Sequence, residues 1–250
     1  MSKKIESQQS VPALSVAVLN YVSCGKTTIA RQLLSPRLGN AEIIPIETIN
    51  KDAGQGEAID AGNFRAAMVK VDTLMANNKS VVVDIGASNI EACLIKMKAE
   101  KAFSDFDYFV IPITPDKRTM TNSVNVICDL IKKFGVPPSK IRIVFNRVKS
   151  ELKMPISEMY ASIFKLAAVS GFPVSELAVI YESEVFDLLG LDDLIAVSKT
   201  NLDWRELQRN AKNDAERIKV STNRVLWKMS GDTVFELDTV FAALFGASNE

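Results

Sequence analysis

The chain has 250 residues, 47% of them hydrophobic and 24% charged, with 30 basic residues against 30 acidic ones and no histidine. That length and balance suit one α/β domain large enough to bury a sizeable core, and zero formal net charge argues against a dedicated nucleic-acid binder. The missing histidine excludes Ser-His-Asp and Cys-His catalysis and every His-based metal site, leaving Lys, Asp, Glu, hydroxyls and bound Mg²⁺ as the available chemistry.

The three cysteines, Cys24, Cys93 and Cys128, have no metal-ligand spacing and cannot pair evenly, so they read as small buried apolar residues. No apolar run approaches the ~20 residues needed to span a bilayer, so no integral membrane segment is expected. The polar start Met1 to Ser10 lacks the core of a secretory signal, and a cytoplasmic location is expected.

Met1 to Pro12 reads as a mobile polar arm, residues 13–250 as one domain, and residues 183–246 as a largely helical C-terminal portion. The first strand is predicted over Leu14 to Leu19, and directly after it comes Asn20-Tyr-Val-Ser-Cys-Gly-Lys-Thr-Thr28, leading into a helix over Thr27 to Leu34. This matches the phosphate-binding pattern G-x-x-x-x-G-K-[ST] at Gly25, Lys26 and Thr27, with Asn20 in place of the first glycine. In such a loop consecutive backbone N–H groups, those of Tyr21, Val22, Ser23, Cys24 and Thr28 included, form an anion cradle at a helix N-terminus. Asn20 is expected to take the position because Asn tolerates φ > 0. Gly25 lets the backbone approach the phosphates, Lys26 supplies a point charge to them, and the Thr27 hydroxyl ligates Mg²⁺. Cys24 is read either as a thiol activated by Lys26, whose alkylation would block the site, or as a buried inert one.

Further strands are predicted over Glu42 to Ile46, Ser80 to Val83, Tyr108 to Ile113, Ile141 to Phe145 and Leu177 to Ile180. Helical spacing over Asp60 to Asn77, Ile90 to Lys101, Thr119 to Phe134 and Ile156 to Ser170 fills the gaps. Such alternation specifies a doubly wound, mostly parallel sheet with helices on both faces, whose ligand sits at the C-terminal ends of the strands. Glu47 is placed there to orient a nucleophilic or metal-bound water, with Asn50 and Asp52 following on a switch-like segment, or all three belong to a polar surface loop. Asp84, at the end of Val81-Val-Val83, is a Mg²⁺ ligand beside Thr27 or a helix cap. Thr114, Pro115 and Asp116 form a wall of the cleft or only a turn. Asn146 and Arg147 either read and stack on the adenine of ATP or make an ordinary loop.

The loop, Asp84, Ile113-Thr-Pro115 and Phe145-Asn-Arg147 together resemble the ParA/MinD branch of deviant P-loop ATPases. More narrowly, Val18-Leu-Asn20, Gly25-Lys-Thr-Thr28, Leu34-Ser-Pro-Arg-Leu38, Glu47-Thr-Ile-Asn50 and Val83-Asp-Ile-Gly-Ala-Ser-Asn89 are similar to the StbB-type plasmid-stability proteins. The resemblance spans about residues 14–180 and implies an Mg-ATP-binding ATPase of plasmid stability, partition or conjugative DNA transfer. It also implies a homodimer formed on nucleotide binding and a plasmid-encoded DNA-binding partner protein. Partition ATPases carry a lysine early in the loop that reaches the partner subunit's phosphates, and here Tyr21 stands in its place, followed by Val22 and Ser23 instead of two small glycines. A phenol supplies no positive charge, so trans-activated hydrolysis needs another cation, Lys51 among the candidates. A GTP-using relative is disfavoured, because Asn146-Arg-Val-Lys149 lacks the acid that reads guanine.

Asp203 to Met229 mixes Arg205, Arg209, Lys212, Arg217, Lys219, Arg224 and Lys228 with Asp203, Glu206, Asp214 and Glu216. It reads as a solvated helix face with internal ion pairs, or, by the resemblance, as a weak sequence-independent DNA surface. Val234 to Phe245 has apolar residues at helical spacing and reads as core, or as a partner or membrane contact, which its two acids and lack of a base disfavour.

Overall fold

The computed structural model describes residues 12–46, 61–151, 153–190 and 192–246. Of the arm expected over Met1 to Pro12, only Pro12 is described, and Glu47, Asn50, Lys51 and Asp52 lie outside the described residues.

Six strands form one parallel sheet: β1 (Ser15–Val18), β2 (Glu42–Ile46), β3 (Val81–Ile85), β4 (Tyr108–Ile113), β5 (Ile141–Val148) and β6 (Val179–Tyr181). Their spatial order is β2-β3-β1-β4-β5-β6. The chain passes from β1 to the edge strand β2, returns to lay β3 between them, and crosses to the other side of β1 at β4. β1 sits at the switch point, where the segments leaving the neighbouring strands diverge and open a crevice.

Apolar runs bounded by polar residues bury β1 and β3 fully and β4 almost fully, as parallel strands covered on both sides must be, while the edge strands β2 and β6 keep exposed residues. Alternate side chains then supply two cores. On one face Ala17, Val83, Ile111 and Ile143 pack under α2 (Ala61–Ala76), α3 (Ile90–Ala99), α4 (Lys117–Cys128, continued by a π-type turn Asp129–Lys133) and α5 (Ala161–Ser170). On the other, Val16, Val18, Val82, Val110 and Val144 meet the P-loop helix and the C-terminal helices. Those are α1 (Lys26–Thr28, a π-type turn Ile29–Leu34, then Ser35–Arg37), α6 (Val185–Leu189), α7 (Leu194–Ser198) and α9 (Asp214–Phe245), with α8 (Trp204–Asn210) resting on α9 through Trp204 and Trp227, ring centroids 5.9 Å apart.

The helix expected over Ile156 to Ser170 is interrupted at Tyr160, with a separate turn over Ile156–Met159. Tyr160 is fully buried against Phe145, their ring centroids 4.3 Å apart. The core thus claims the residue at the break.

α9 is 32 residues long, about 48 Å at 1.5 Å per residue. Leu226, Leu237, Val240 and Leu244 bury one stripe in the second core, so the apolar run near the chain's end is core as read from its spacing. Its first turns, Asp214 to Lys219, are exposed and carry one ion pair, Arg217 to Asp214 at 2.8 Å. Arg37 pins the buried half. Pro36 cannot donate to the Gln32 carbonyl four residues earlier, and Arg37 Nη1 donates to it instead at 2.8 Å. The same guanidinium reaches Asp238 at 2.7 Å and the Val234 carbonyl at 3.1 Å on α9. Among the described residues no helix is long and apolar enough to cross a membrane.

Candidate functional site

The loop leaving β1 is held by side chains from the ends of two neighbouring strands. Asn20 does not take the left-handed backbone expected of it. It is fully buried, and its Nδ2 donates to the Pro112 carbonyl and to Ser123 Oγ, each at 2.8 Å. The first-glycine position is thus filled by a buried amide that ties the end of β1 to β4 and α4. Gly25 does take positive φ, at 83°. Followed at once by α1, it aims successive N–H groups into one concavity.

A second reason keeps Gly25 a glycine. A Cβ there would lie 2.5 Å from Asn146 Nδ2. That amide is engaged, donating to the Cys24 carbonyl at 2.8 Å from a position only 6% exposed. The sequence leaves Asn146 as an adenine reader or an ordinary loop residue; in the structure its amide N–H braces the loop apex.

Lys26 folds back into the loop that precedes it, donating to the Val22 carbonyl at 2.8 Å and the Asn20 carbonyl at 3.2 Å. Burial pulls its ammonium below the ordinary lysine range, an effect the Asp84 charge opposes. Asp84 arrives through sheet register: it pairs with Val18 of β1, one strand over. Its Oδ2 accepts from Thr27 Oγ1 at 2.6 Å, while the carboxylate itself is 5% exposed. Two hard oxygen donors beside an anion cradle are the protein's usual share of a Mg²⁺ site, where phosphate and water complete the octahedron. The donor set therefore fits that ion.

Ser23, Cys24, Gly25, Lys26, Thr27 and Thr28 line a cleft of about 320 Å³ with Asp84, Gly86 and Arg147. Asn20, Tyr21 and Val22, expected there too, do not line it; Val22 contributes only its carbonyl to Lys26. Tyr21 turns to the α3–α4 side, where its hydroxyl donates to Asp129 Oδ2 at 2.8 Å. Burial and the Asp129 carboxylate push its ionisation well above the ordinary tyrosine value. The activated-thiol reading of Cys24 is corrected. Burial pushes its thiol up to about 11 despite the nearby charges of Lys26 and Arg147. Asp116 proves to be a cap, accepting from Thr119 N at 2.8 Å and Thr114 Oγ1 at 2.6 Å.

A second cleft of about 210 Å³ adjoins the first, shares Gly25, Thr28 and Arg147 with it, and adds Asn146. Its far walls come from residues that the sequence did not single out: Gln32, Tyr181, Glu182, Phe186, Asp187 and Leu237. Gln32 is already committed, donating to the Asp192 carbonyl at 3.0 Å and accepting from Leu194 N at 3.2 Å. Leu237 belongs to α9, whose Glu236 accepts from Tyr181 N at 3.0 Å. One cleft of polar amides and cations beside one with Phe186 and Leu237 has the shape of a site for a phosphorylated, flat-ringed ligand.

No protein-family profile matches the chain, and no curated protein matches it by sequence. Among solved structures it resembles a ParA family ATPase from Chlorobium tepidum, with a TM-score of 0.50 at 12% identity over 93% of this chain and 98% of that one. The MinD cell division protein of Aquifex aeolicus matches at 0.47 and 13% identity, over 86% of this chain and 98% of that one. The pNOB8 ParA bound to nonspecific DNA matches at 0.43 and 11% identity, over 90% and 99%. The likeness is one of fold, and the ParA-type sheet is the one described above.

Proposed function

We propose that this chain binds Mg-ATP in the paired clefts and hydrolyses it, as an ATPase of a plasmid stability, partition or conjugative DNA-transfer system. The observation that carries the reading is the meeting of Thr27 Oγ1 and Asp84 Oδ2 at 2.6 Å beside Lys26 and the Gly25 turn. Lys26 would exchange its loop carbonyls for the β- and γ-phosphates, and Thr27 and Asp84 would hold Mg²⁺ directly or through water. When bound, Mg²⁺ neutralises charge developing on the phosphoryl group. The base would lie over Phe186 and Leu237. Glu47 remains the candidate for positioning the attacking water. The narrower likeness to the plasmid-stability protein StbB rests on the sequence stretches quoted for it, as do the nucleotide-dependent homodimer, the plasmid-encoded DNA-binding partner and a weak non-specific DNA contact.

A second reading has its own observation. Tyr21, in place of the lysine of partition ATPases, points to Asp129 and away from the phosphate cleft. This supports a nucleotide-dependent scaffold or switch that turns over little ATP and recruits a DNA-binding partner. Phosphate release by the purified chain with Mg-ATP, with and without double-stranded DNA, separates the two. Turnover above a Lys26→Ala control supports the ATPase. ATP binding without such turnover supports the switch, and ATP affinity unchanged in Lys26→Ala removes the loop from the site altogether.

A further inference from the structure

Arg147 is the extra residue of a bulge in β5: Asn146 pairs with Ile180 and Val148 with Tyr181, leaving Arg147 between them. Its φ of 56° is left-handed backbone, unfavourable for any residue with a Cβ. Bulges re-aim a side chain, and strain of this kind is retained at clefts where direction matters. Here the direction is specific. Arg147 lines both the phosphate cleft and the base cleft, standing on their common rim.

Its guanidinium is exposed and makes no hydrogen bond or ion pair among the described residues. Its charge is nonetheless felt inside the loop. Burial raises the Cys24 thiol, and the cations that oppose the rise are Lys26 and then Arg147. Among the described residues the phosphate cleft otherwise offers a single cation, Lys26, facing the Asp84 carboxylate. A magnesium triphosphate placed there leaves an excess of negative charge that Lys26 alone does not neutralise. The base cleft already has its apolar walls in Phe186 and Leu237.

Resting on the reading of this loop as a nucleotide site, we propose that Arg147 contacts the phosphates and not the base, supplying from the same subunit the second cation that Tyr21 withholds. A charge-assisted, fork-shaped donor suits phosphate oxygens in a way that a phenol turned to Asp129 does not.

Calorimetric affinities of the full chain for ATP, ADP and adenosine, with Mg²⁺, test the assignment in Arg147→Ala, Arg147→Lys and Arg147→Gly. Arg147→Ala should weaken ATP by about tenfold, ADP by less, and adenosine by less than about twofold, since only the phosphates lose a charge-assisted partner. Arg147→Lys should recover part of the ATP affinity. Arg147→Gly should match the alanine variant in affinity while its Tm equals or exceeds that of the parent, because glycine adopts positive φ freely. That combination separates loss of a contact from loss of fold. Equal losses for all three ligands would place the guanidinium on the base and overturn the proposal, as would no loss for any of them. A parent protein that binds none of the three overturns the nucleotide reading itself.

Discussion

Replacing Gly25 by alanine attacks the loop through two separable terms. Alanine at φ 83° carries a left-handed strain, on the order of 1–3 kcal/mol. Its Cβ also falls 2.5 Å from Asn146 Nδ2, so the buried amide must swing away and surrender its 2.8 Å bond to the Cys24 carbonyl. Leaving that carbonyl unpaired costs about 1–3 kcal/mol more. Gly25→Ala should therefore lose roughly 2–6 kcal/mol, a large part of the ~5–15 kcal/mol that holds a domain together. Asn146→Ala alone should lose only the hydrogen-bond share. In the double variant that bond is lost once, not twice, so the combined loss should fall short of the sum of the singles by about 1–3 kcal/mol. Urea unfolding midpoints at constant m measure all three variants. Additivity within about 0.5 kcal/mol would show that the two residues do not share one contact, and the account of the loop apex would fail.

Two further outcomes rest on the same geometry. Asp84→Ala removes the acceptor of Thr27 Oγ1, and ATP affinity should drop about tenfold or more in Mg²⁺ but change little in EDTA, if the pair holds the metal; equal losses in both buffers refute the metal role. Cys24, raised from 9.0 to about 11, should hold about 100-fold less thiolate than an ordinary thiol at any pH below 9, so its alkylation should be slow at pH 8 and accelerate about tenfold per pH unit up to about 11. Rapid labelling of Cys24 at pH 8, located by peptide mapping, would contradict its burial.

What could be read from the sequence was local. β2 and β4 have the bounds expected of them, and the Gly25-Lys26-Thr27 signature lies where a cleft opens at the end of β1. Register did the rest for Asp84, since a buried strand next to β1 must deliver its last residues beside the loop. Long-range partners were not legible. Tyr21 and Asp129 are 108 positions apart, and no spacing rule announces that a phenol will turn away from the cleft. Asn146 was recognisable as a residue of the site, yet the direction of its amide depends on where the Cys24 carbonyl lies. β5 was expected to stop at Phe145, because the bulge at Arg147 breaks the alternation that marks a strand. The base cleft draws Gln32, Phe186 and Leu237 from three separate helices, so it exists only after folding.

The placement of Leu237 in that cleft orders events at the ribosome. By the time β1 to β6 have been synthesised, the sheet and the phosphate loop have all their residues, but one wall of the neighbouring cleft is still to be made. α9 comes after all six strands in the chain, and the Arg37 guanidinium waits for Val234 and Asp238 to seat it. A nascent chain stopped short of Leu237 thus owns the signature motif without the finished pocket.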